Sequence, residues 1–303
     1  MKKLSLFIGT LLIAAIGTTN AQVLYKISGN GLKTESYIIG TEHFVKSSFV
    51  DSIPGAKRVL SQVQQVCGEL VMKYANNTDT AMSLIQYMML PPDSVARNIM
   101  TEAQFDSLCR IVKEDYNIDL NLPQYASLLR MYPMLFYVTI TQLSEQMKQM
   151  ANPGSTPNSN DYMDFYFQQE AEKAGKTVLC LETYSFQMKL ITTLYDMPLK
   201  QQYAELIESL KNKKVDSQLK ELENTYKSLD LRKIEKMLDQ IKESEDITTR
   251  ILYSRNDNWA DKMPSMMSEK STLFVVGVGH LVGDKSILKL LRAKGYKIKA
   301  VEK

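Results

Sequence analysis

The sequence predicts an α/β fold: a mixed, largely parallel central sheet with flanking helices and two long helical insertions that form a cap. Short apolar runs of strand length alternate with segments of helical periodicity, which indicates helices packed on a largely parallel sheet. Two of the runs are joined through Gly29-Asn30-Gly31, which predicts a β-hairpin. Several runs end at a glycine that is followed closely by a histidine or a glutamate.

Six strands are expected in order along the chain. Each is a short apolar run bounded by glycine or by a polar turn, as is typical of buried strands. The predicted strands cover residues 23–28, a run ending at 40, 65–71, 177–182, 272–276 and 296–301. Helices are predicted between them over 54–62, 161–174 and 284–294.

Two insertions of helical pattern, at about 78–175 and 185–263, interrupt the strand series. Thr101 is expected to cap a helix whose apolar residues recur at helical spacing. Pro133 is expected to interrupt a long methionine-rich helix, because proline cannot continue the hydrogen-bond ladder. We therefore expect a single α/β domain over residues 22–303, with both insertions lying above the sheet.

Residues 1–21 have the features of a secretory signal peptide. Met1-Lys2-Lys3 precedes an apolar run, from Leu4 to Gly17, that is shorter than a spanning helix requires, and small residues precede Gln22. An uncleaved anchor is the alternative interpretation. No second apolar run reaches spanning length. We expect an exported protein, periplasmic or secreted, with no stable membrane span after signal cleavage.

The charge of the sequence narrows the possible partners. The 37 Lys and Arg residues are interleaved with 34 Asp and Glu residues, and a net charge of +3 argues against nucleic acid as a partner.

The three cysteines, Cys67, Cys109 and Cys180, leave at least one free thiol in an oxidising compartment. Cys67 and Cys180 lie in predicted strands that could be neighbours, but small buried apolar groups are the simpler interpretation of all three.

The only two histidines in the sequence follow the same local pattern. His43 stands three residues after Gly40, and His280 stands three residues after Gly277, each at the end of a predicted strand. Ligands of α/β sheets bind outside the carboxyl ends of the strands. We therefore interpret the two G-x-x-H segments as halves of one site.

Glu69 and Glu182 also fall where predicted strands end. Two imidazoles and a carboxylate suit a catalytic divalent cation of the Mn, Co or Zn class with an open water position. We assign His43, His280 and Glu69 as metal ligands, with Glu69 also a candidate base, and Glu182 as a base or a residue behind the ligands. If the strand continues through Glu42, this side chain and His43 point to opposite faces, and His43 is the preferred ligand.

Arg255 and Trp259 have helical i, i+4 spacing near the predicted site. Arg255 is a candidate to hold a substrate carboxylate or an oxyanion, although an ordinary surface arginine is the alternative. For Trp259, the single tryptophan, a place in the core is the favoured interpretation.

These motifs together resemble the TraB/GumN family, which is related to the Tiki membrane metalloproteases. The stretches that carry the resemblance are 24–29 with 40–43, Glu69, 164–176 with 181–187, 255–260, and 277–283 with 295–296. The resemblance implies a mixed α/β fold with both G-x-x-H histidines in the active site. It further implies roles for the acidic Glu69 and for the polar pair Arg255 and Asn256. In the Tiki relatives it implies metal-dependent peptide cleavage.

The chain departs from the family pattern at Glu42, where an apolar residue is usual. Its charge either alters the site or points away from it. The family name alone does not define the reaction.

Three functions agree with these observations. The first is an exported metal-dependent hydrolase, foremost a peptidase with a peptide or protein substrate, in which the cation activates water. The second is a metal-free hydrolase with a histidine as general base and Arg255 stabilising the oxyanion. The third is a non-catalytic envelope protein that binds a peptide. Imidazoles more than about 8 Å apart would exclude a shared cation, because each bond is about 2 Å long.

Overall fold

A computed structural model of the chain describes residues 22–76, 84–151, 161–194, 196–240 and 245–302. The predicted signal segment, residues 1–21, lies outside the described residues. None of the described helices is both long and apolar enough to cross a bilayer.

Six strands form one mixed sheet. They are β1 Leu24–Gly29, β2 Ser36–Thr41, β3 Gln65–Gly68, β4 Thr177–Cys180, β5 Thr272–Gly277 and β6 Tyr296–Ala300. Their order across the sheet is β4-β3-β5-β2-β1-β6. β1 is antiparallel to β2 and β6, and the other three neighbouring pairs are parallel. The predicted mixed, largely parallel α/β sheet is therefore confirmed.

Helices flank the sheet and recur through the described parts of both insertions. They are α1 Ala56–Gln62, α2 Ala96–Ile99, α3 Glu102–Tyr116, α4 Pro133–Ala151, α5 Met163–Lys173, α6 Tyr184–Thr192, α7 Leu199–Lys211, α8 Lys214–Tyr226, α9 Leu231–Gln240, α10 Glu245–Thr248, α11 Ser254–Glu269 and α12 Ile287–Ala293. Short 3-10 helices cover Ser47–Ser52, Met72–Asn76, Pro123–Arg130 and Val278–Leu281, and a π-helical turn covers Thr249–Tyr253.

The buried residues form two hydrophobic cores. The first packs the sheet against its flanking helices and includes Ile38, Phe274 and Trp259. The second combines residues from 90–140 with residues from 203–210, so both insertions contribute to it. Part of each helical insertion thus packs in a core separate from that of the sheet, whereas other insertion residues, among them Phe167, Ile234 and Trp259, pack in the first core.

Local chemistry explains where several elements begin and end. Gly29, Asn30 and Gly31 all adopt positive φ, which glycine and asparagine tolerate best, and they turn the chain between β1 and β2. Thr101 caps α3 through a capping box with Gln104. α4 begins at Pro133 and follows a separate 3-10 helix, so the predicted interruption is the helix start.

Several elements are shorter than the sequence predicts. β3 ends at Gly68 and β4 at Cys180, so Glu69 and Glu182 lie just beyond the strands. The last helix begins at Ile287, not at 284, because the side chain of Ser286 caps it by accepting the N–H of Lys289.

Cys67 and Cys180 lie on adjacent strands but do not pair. Cys67 is in register with Leu179, and Cys180 with Gly68, so the two cysteines are one position apart and project to opposite faces. Both are free thiols, as is Cys109.

Candidate active site at the carboxyl ends of the strands

The parallel strands bring His43, Glu69 and His280 together around Gly277. A Cβ atom placed on Gly277 would lie 3.3 Å from Glu69 Oε1, 3.6 Å from His43 Nε2 and 3.7 Å from His280 Cδ2. Both rings therefore approach one point, and the separation expected to exclude a shared cation does not occur. β2, β3 and β5 end side by side, which produces this convergence.

A small cavity of about 120 Å³ opens at this point. Its lining residues are His43, Glu69, Leu70, Met72, Asp164, Gln168, Gln187 and Val275. A larger open groove, of about 520 Å³, lies between α1, β1 and β6, and its lining contains none of the predicted site residues. The smaller cavity is therefore the candidate active site.

Glu69 is held at the base of the cavity by hydrogen bonds to both carboxylate oxygens. Oε1 accepts the backbone N–H of Gly277 at 2.8 Å. Oε2 accepts from Arg255 Nη2 at 2.5 Å and from Gln187 Nε2 at 3.1 Å. These donors fix the carboxylate orientation and favour its charged form.

The electrostatic surroundings keep Glu69 ionised. Burial raises the pKa of Glu69, but neighbouring charges on His280, Arg255 and His43 and the Gly277 hydrogen bond bring it down to about 2. Burial lowers the pKa of His280 to about 3, so this imidazole is neutral at pH 7. Near neutral pH, the positive charges that stabilise the ionised form of Glu69 therefore come from Arg255 and His43.

Arg255 uses all five of its N–H groups within the protein. Nε donates to both oxygens of Glu182, at 3.0 and 3.1 Å, and Nη2 donates to Glu182 at 2.9 Å as well as to Glu69. Nη1 donates to the carbonyl of Ile251 at 3.0 Å and lies 3.2 Å from His280 Nε2. Because a guanidinium carries five donors, Arg255 has none left for a substrate.

Glu182 lies behind Glu69 and outside the cavity lining. Its side chain is only 5% exposed. Besides Arg255, it accepts a hydrogen bond from Trp259 Nε1 at 2.8 Å and one from Gln187 Nε2 at 3.0 Å. The structure thus places Glu182 as a counterion of Arg255, separated from the cavity.

His43 stands at the mouth of the cavity, with its side chain 64% exposed. Its Nδ1 lies 2.7 Å from Asp164 Oδ2, and Asp164 Oδ1 accepts a 2.5 Å hydrogen bond from Thr41. The Asp164 carboxylate raises the pKa of His43 to about 10. The Nε2 side of the ring faces Gly277.

His280 is fully engaged on its Nδ1 side. Nδ1 lies 2.6 Å from Asn256 Oδ1, and Asn256 Nδ2 donates to the Lys285 carbonyl at 2.8 Å. Because the Asn256 amide presents its oxygen to the ring, the imidazole proton lies on Nδ1, and Nε2 carries a lone pair. The ring also packs against Trp259, with 4.2 Å between ring centroids. Trp259 is completely buried, as the core interpretation predicts, and it also contacts the site.

Glu42 does not line the cavity. β2 ends at Thr41, so the strand does not continue through Glu42. The Glu42 side chain is buried, accepts the N–H of Phe44 at 2.9 Å, and has its pKa raised by burial. The carboxyl group that departs from the family pattern is therefore buried outside the cavity lining, and its charge contributes to the raised pKa of His43.

Four polar residues of the site were not assigned from the sequence. Thr41 and Asp164 hold His43, while Gln187 bridges the two glutamates. Gln168, one helical turn after Asp164 on α5, accepts from the N–H of Met72 at 2.8 Å and donates to the carbonyl of Leu70 at 2.8 Å. The only sequence signal for Asp164, Gln168 and Gln187 is their place in stretches or positions that carry the family resemblance.

Titration of the metal-free protein will separate the two histidines. We expect the C2 proton resonance of His43 to titrate near pH 10, and that of His280 near pH 3, because Asp164 stabilises one imidazolium and burial disfavours the other. His43 binds its proton more tightly in the folded state. Its contribution to stability is therefore complete below pH 6.5 and is lost as the pH rises towards 10.

The Asp164→Asn variant provides the control for this titration. Removing the carboxylate charge should return the His43 midpoint towards its ordinary value and leave that of His280 nearly unchanged. NMR titration of the two resonances measures both effects. Two midpoints near 6.5 in the unmodified protein would contradict the electrostatic description.

The fold and the site together define an α/β protein with paired G-x-x-H histidines beside a buried arginine–carboxylate cluster. The chain belongs to the TraB/PrgY/gumN family, whose model matches residues 23–300. The predicted family resemblance is thereby confirmed.

A curated relative extends this comparison. The chain is 22% identical to a protein of Amphimedon queenslandica named "Metalloprotease TIKI homolog", over 312 residues. The match covers 86% of this chain and 58% of the relative, so the chain spans less than two thirds of that protein. No solved structure matches the chain significantly.

The donor atoms are of the types that bind divalent cations, but they are not arranged around a common coordination position. Within the described ranges, no three or more His, Cys, Asp or Glu side chains are placed to hold a metal ion. His280 Nε2 lies 3.8 Å from Glu69 Oε1 and faces Arg255. Nevertheless, each histidine has its Nδ1 fixed by a side-chain oxygen, the support that metal-ligating imidazoles usually have. The missing Cβ of Gly277 leaves space between the donors.

Proposed function

We propose that the chain is an exported metal-dependent hydrolase that cleaves peptides. Membership of the TraB/PrgY/gumN family and the similarity to a metalloprotease homologue support a hydrolase. The metal dependence rests on one observation: in each histidine, a side-chain oxygen holds the Nδ1 atom. Asp164 and Asn256 bind the Nδ1 atoms, which leaves Nε2 of each ring as the atom that could ligate a cation. His43 Nε2 faces the region around Gly277, whereas His280 Nε2 would exchange its contact with Arg255 Nη1 for the cation.

His43, His280 and Glu69 would hold the cation. When bound, a divalent cation supplies a water molecule of lowered pKa and polarises a substrate carbonyl. Loss of the His43 proton is required for binding, because a metal ligand is a neutral imidazole. Asp164 then keeps the remaining proton on Nδ1 and orients the ring.

The residues behind the ligands keep them in position. Arg255 holds Glu69 in its charged form and fixes one carboxylate oxygen. Gln187 donates to the same oxygen and also to Glu182, which couples α6 to the cavity. Asn256 holds the His280 proton on Nδ1. Arg255, Glu182 and Asn256 are therefore positioning residues in this proposal.

The metal-free alternative has less support. A general base must be unprotonated at the working pH, and the raised pKa of His43 keeps this residue protonated near pH 7. His280 is neutral but buried, and its Nε2 already faces Arg255. Stabilisation of an oxyanion by Arg255 would require one of its five hydrogen bonds to break, as ligation of a cation by His280 Nε2 also would, so the protonation of His43 is the observation that separates the two alternatives.

Elemental analysis of the purified protein tests the proposal. We expect a stoichiometric divalent cation in the unmodified chain and its loss in the His43→Ala and His280→Ala variants. Asp164→Asn should weaken metal affinity by about 10–100-fold, because it removes the support of a ligating histidine. Chelation should abolish peptide hydrolysis, and Mn, Co or Zn should restore it.

Asp161→Asn is the matched control for the metal measurements. Asp161 precedes α5, and its carboxylate accepts a hydrogen bond from Ser47, whereas Asp164 is the carboxylate that binds His43. It should leave metal content unchanged. Equal metal content in the unmodified chain and both histidine variants, together with activity that resists chelators, would overturn the proposal.

A further inference from the structure

Two apolar side chains that belong to neither hydrophobic core line the candidate site. Leu70 and Met72 line the cavity beside the catalytic groups, and neither packs into the two cores. Phe44 and Phe186 are outside the cavity lining but follow and precede the lining residues His43 and Gln187, and they are 40% and 44% exposed. Apolar side chains that line a cavity without belonging to a core indicate a binding surface more than scattered exposed ones do.

Helix α6 is attached to the site by polar contacts. It has no fully buried residue, although its sequence is largely apolar. The hydroxyl of Tyr184 donates to the carbonyl of Val71 at 3.2 Å, and Gln187 donates to Glu69 and Glu182. The Tyr184 contact joins the helix that carries Phe186 to the segment of Leu70 and Met72.

The charges around the cavity disfavour a substrate carboxylate. Among the lining residues, Glu69 and Asp164 are acidic, and His43 is paired with Asp164. Arg255 has no free N–H group, as described above. A free carboxyl terminus entering here would therefore meet two carboxylates, and the one cationic side chain among the lining residues, His43, is already paired with Asp164.

We propose that Leu70 and Met72 receive an apolar side chain of the substrate next to the bond that is cleaved, and that the exposed Phe44 and Phe186 extend this apolar surface. The enzyme then cuts within apolar stretches of a peptide, away from its carboxyl terminus. This inference rests on the proposed peptide hydrolysis. The reaction breaks the C–N bond, and water adds its hydroxyl to the acyl carbon and a proton to the amine nitrogen.

Cleavage mapping tests this specificity. The metal-loaded full chain is incubated with a library of peptides with blocked termini, and the cleavage positions are identified by mass spectrometry. We expect Leu, Met or Phe to be enriched at a position flanking the cleaved bond. A preference for charged flanking residues, or a requirement for a free carboxyl terminus, would overturn the inference.

Variants of the apolar residues at the cavity, here called the rim (Phe44, Leu70, Met72 and Phe186), distinguish loss of substrate recognition from loss of folding. Met72→Ala and Phe186→Ala should each lower kcat/KM for an apolar peptide by about tenfold and have less effect on an alanine-substituted peptide, with metal content unchanged. Met134→Ala is the matched control. Met134 is an exposed apolar residue like Phe186, with 39% exposure, but it lies on α4, outside the cavity lining. An unchanged cleavage profile in both rim variants would also overturn the inference.

A separate measurement keeps this inference distinct from the proposed function. If the chain lacks metal and cleaves no peptide, the proposed hydrolase fails. Calorimetry with an apolar peptide and its serine-substituted analogue then tests the rim directly. Equal binding of the two peptides, or binding unaffected by Met72→Ala, would remove the proposed recognition of apolar side chains.

Discussion

Replacing Arg255 with methionine is expected to lower the free energy of unfolding by about 3–5 kcal/mol, the usual cost of leaving a buried charge without its partner. The side chains of Glu69 and Glu182 are 15% and 5% exposed, and Arg255 is the cation that contacts both. Methionine keeps much of the apolar stem but has no N–H group for either carboxylate. Equilibrium denaturation monitored by circular dichroism measures the loss.

Arg232→Met is the matched control for this loss. The Arg232 side chain is 74% exposed and pairs with Asp230 at 3.5 Å, so its removal should cost less than about 1 kcal/mol. Adding Glu182→Gln to Arg255→Met should recover part of the stability, since one unpaired charge disappears. Similar losses for Arg255→Met and Arg232→Met would contradict the buried cluster as an electrostatic unit.

The Gly277→Ala variant is expected to lose activity while keeping its fold. Gly277 has φ −55° and ψ 137°, values that an L-residue adopts without strain. The added methyl group would lie 3.3 Å from Glu69 Oε1 and 3.6 Å from His43 Nε2, in the space where the donors converge. We expect kcat/KM for peptide hydrolysis to fall by about 100-fold or more, because small displacements of reacting groups have effects of this size. Metal content should fall as well.

Gly279→Ala is the control two residues away. A Cβ at Gly279 would lie 3.5 Å from Leu252 Cδ2, which is ordinary van der Waals contact. This variant should retain nearly full activity and metal content. Thermal denaturation of both variants separates loss of the site from loss of the fold. Full activity in Gly277→Ala would place the reacting groups elsewhere.

The sequence predicted the sheet better than it predicted the side-chain network. The Gly29-Asn30-Gly31 turn and the glycines at strand ends are local signals, so the hairpin and the strand positions could be read directly. The approach of His43 and His280 follows from parallel strands that end at one edge. No local pattern, however, sets the orientation of Glu182, which lies behind Glu69.

The network could not be derived because its members come from separate helices. Asp164 reaches His43 from α5, and Gln187 reaches the glutamates from α6. Their positions depend on how each helix docks against the sheet, which residue spacing within one helix does not encode. Arg255 illustrates the same limit: its helix placement was predictable, but the use of all five N–H groups required the tertiary structure.

The solitary indole of Trp259 gives this protein an intrinsic optical label. Its ring stacks near His280, and its nitrogen donates to Glu182, so all tryptophan emission originates beside the strand ends. A ligand that reorients either neighbour should alter the intensity or wavelength of that emission. Occupancy can therefore be followed by spectroscopy in the unmodified chain, without attaching a dye.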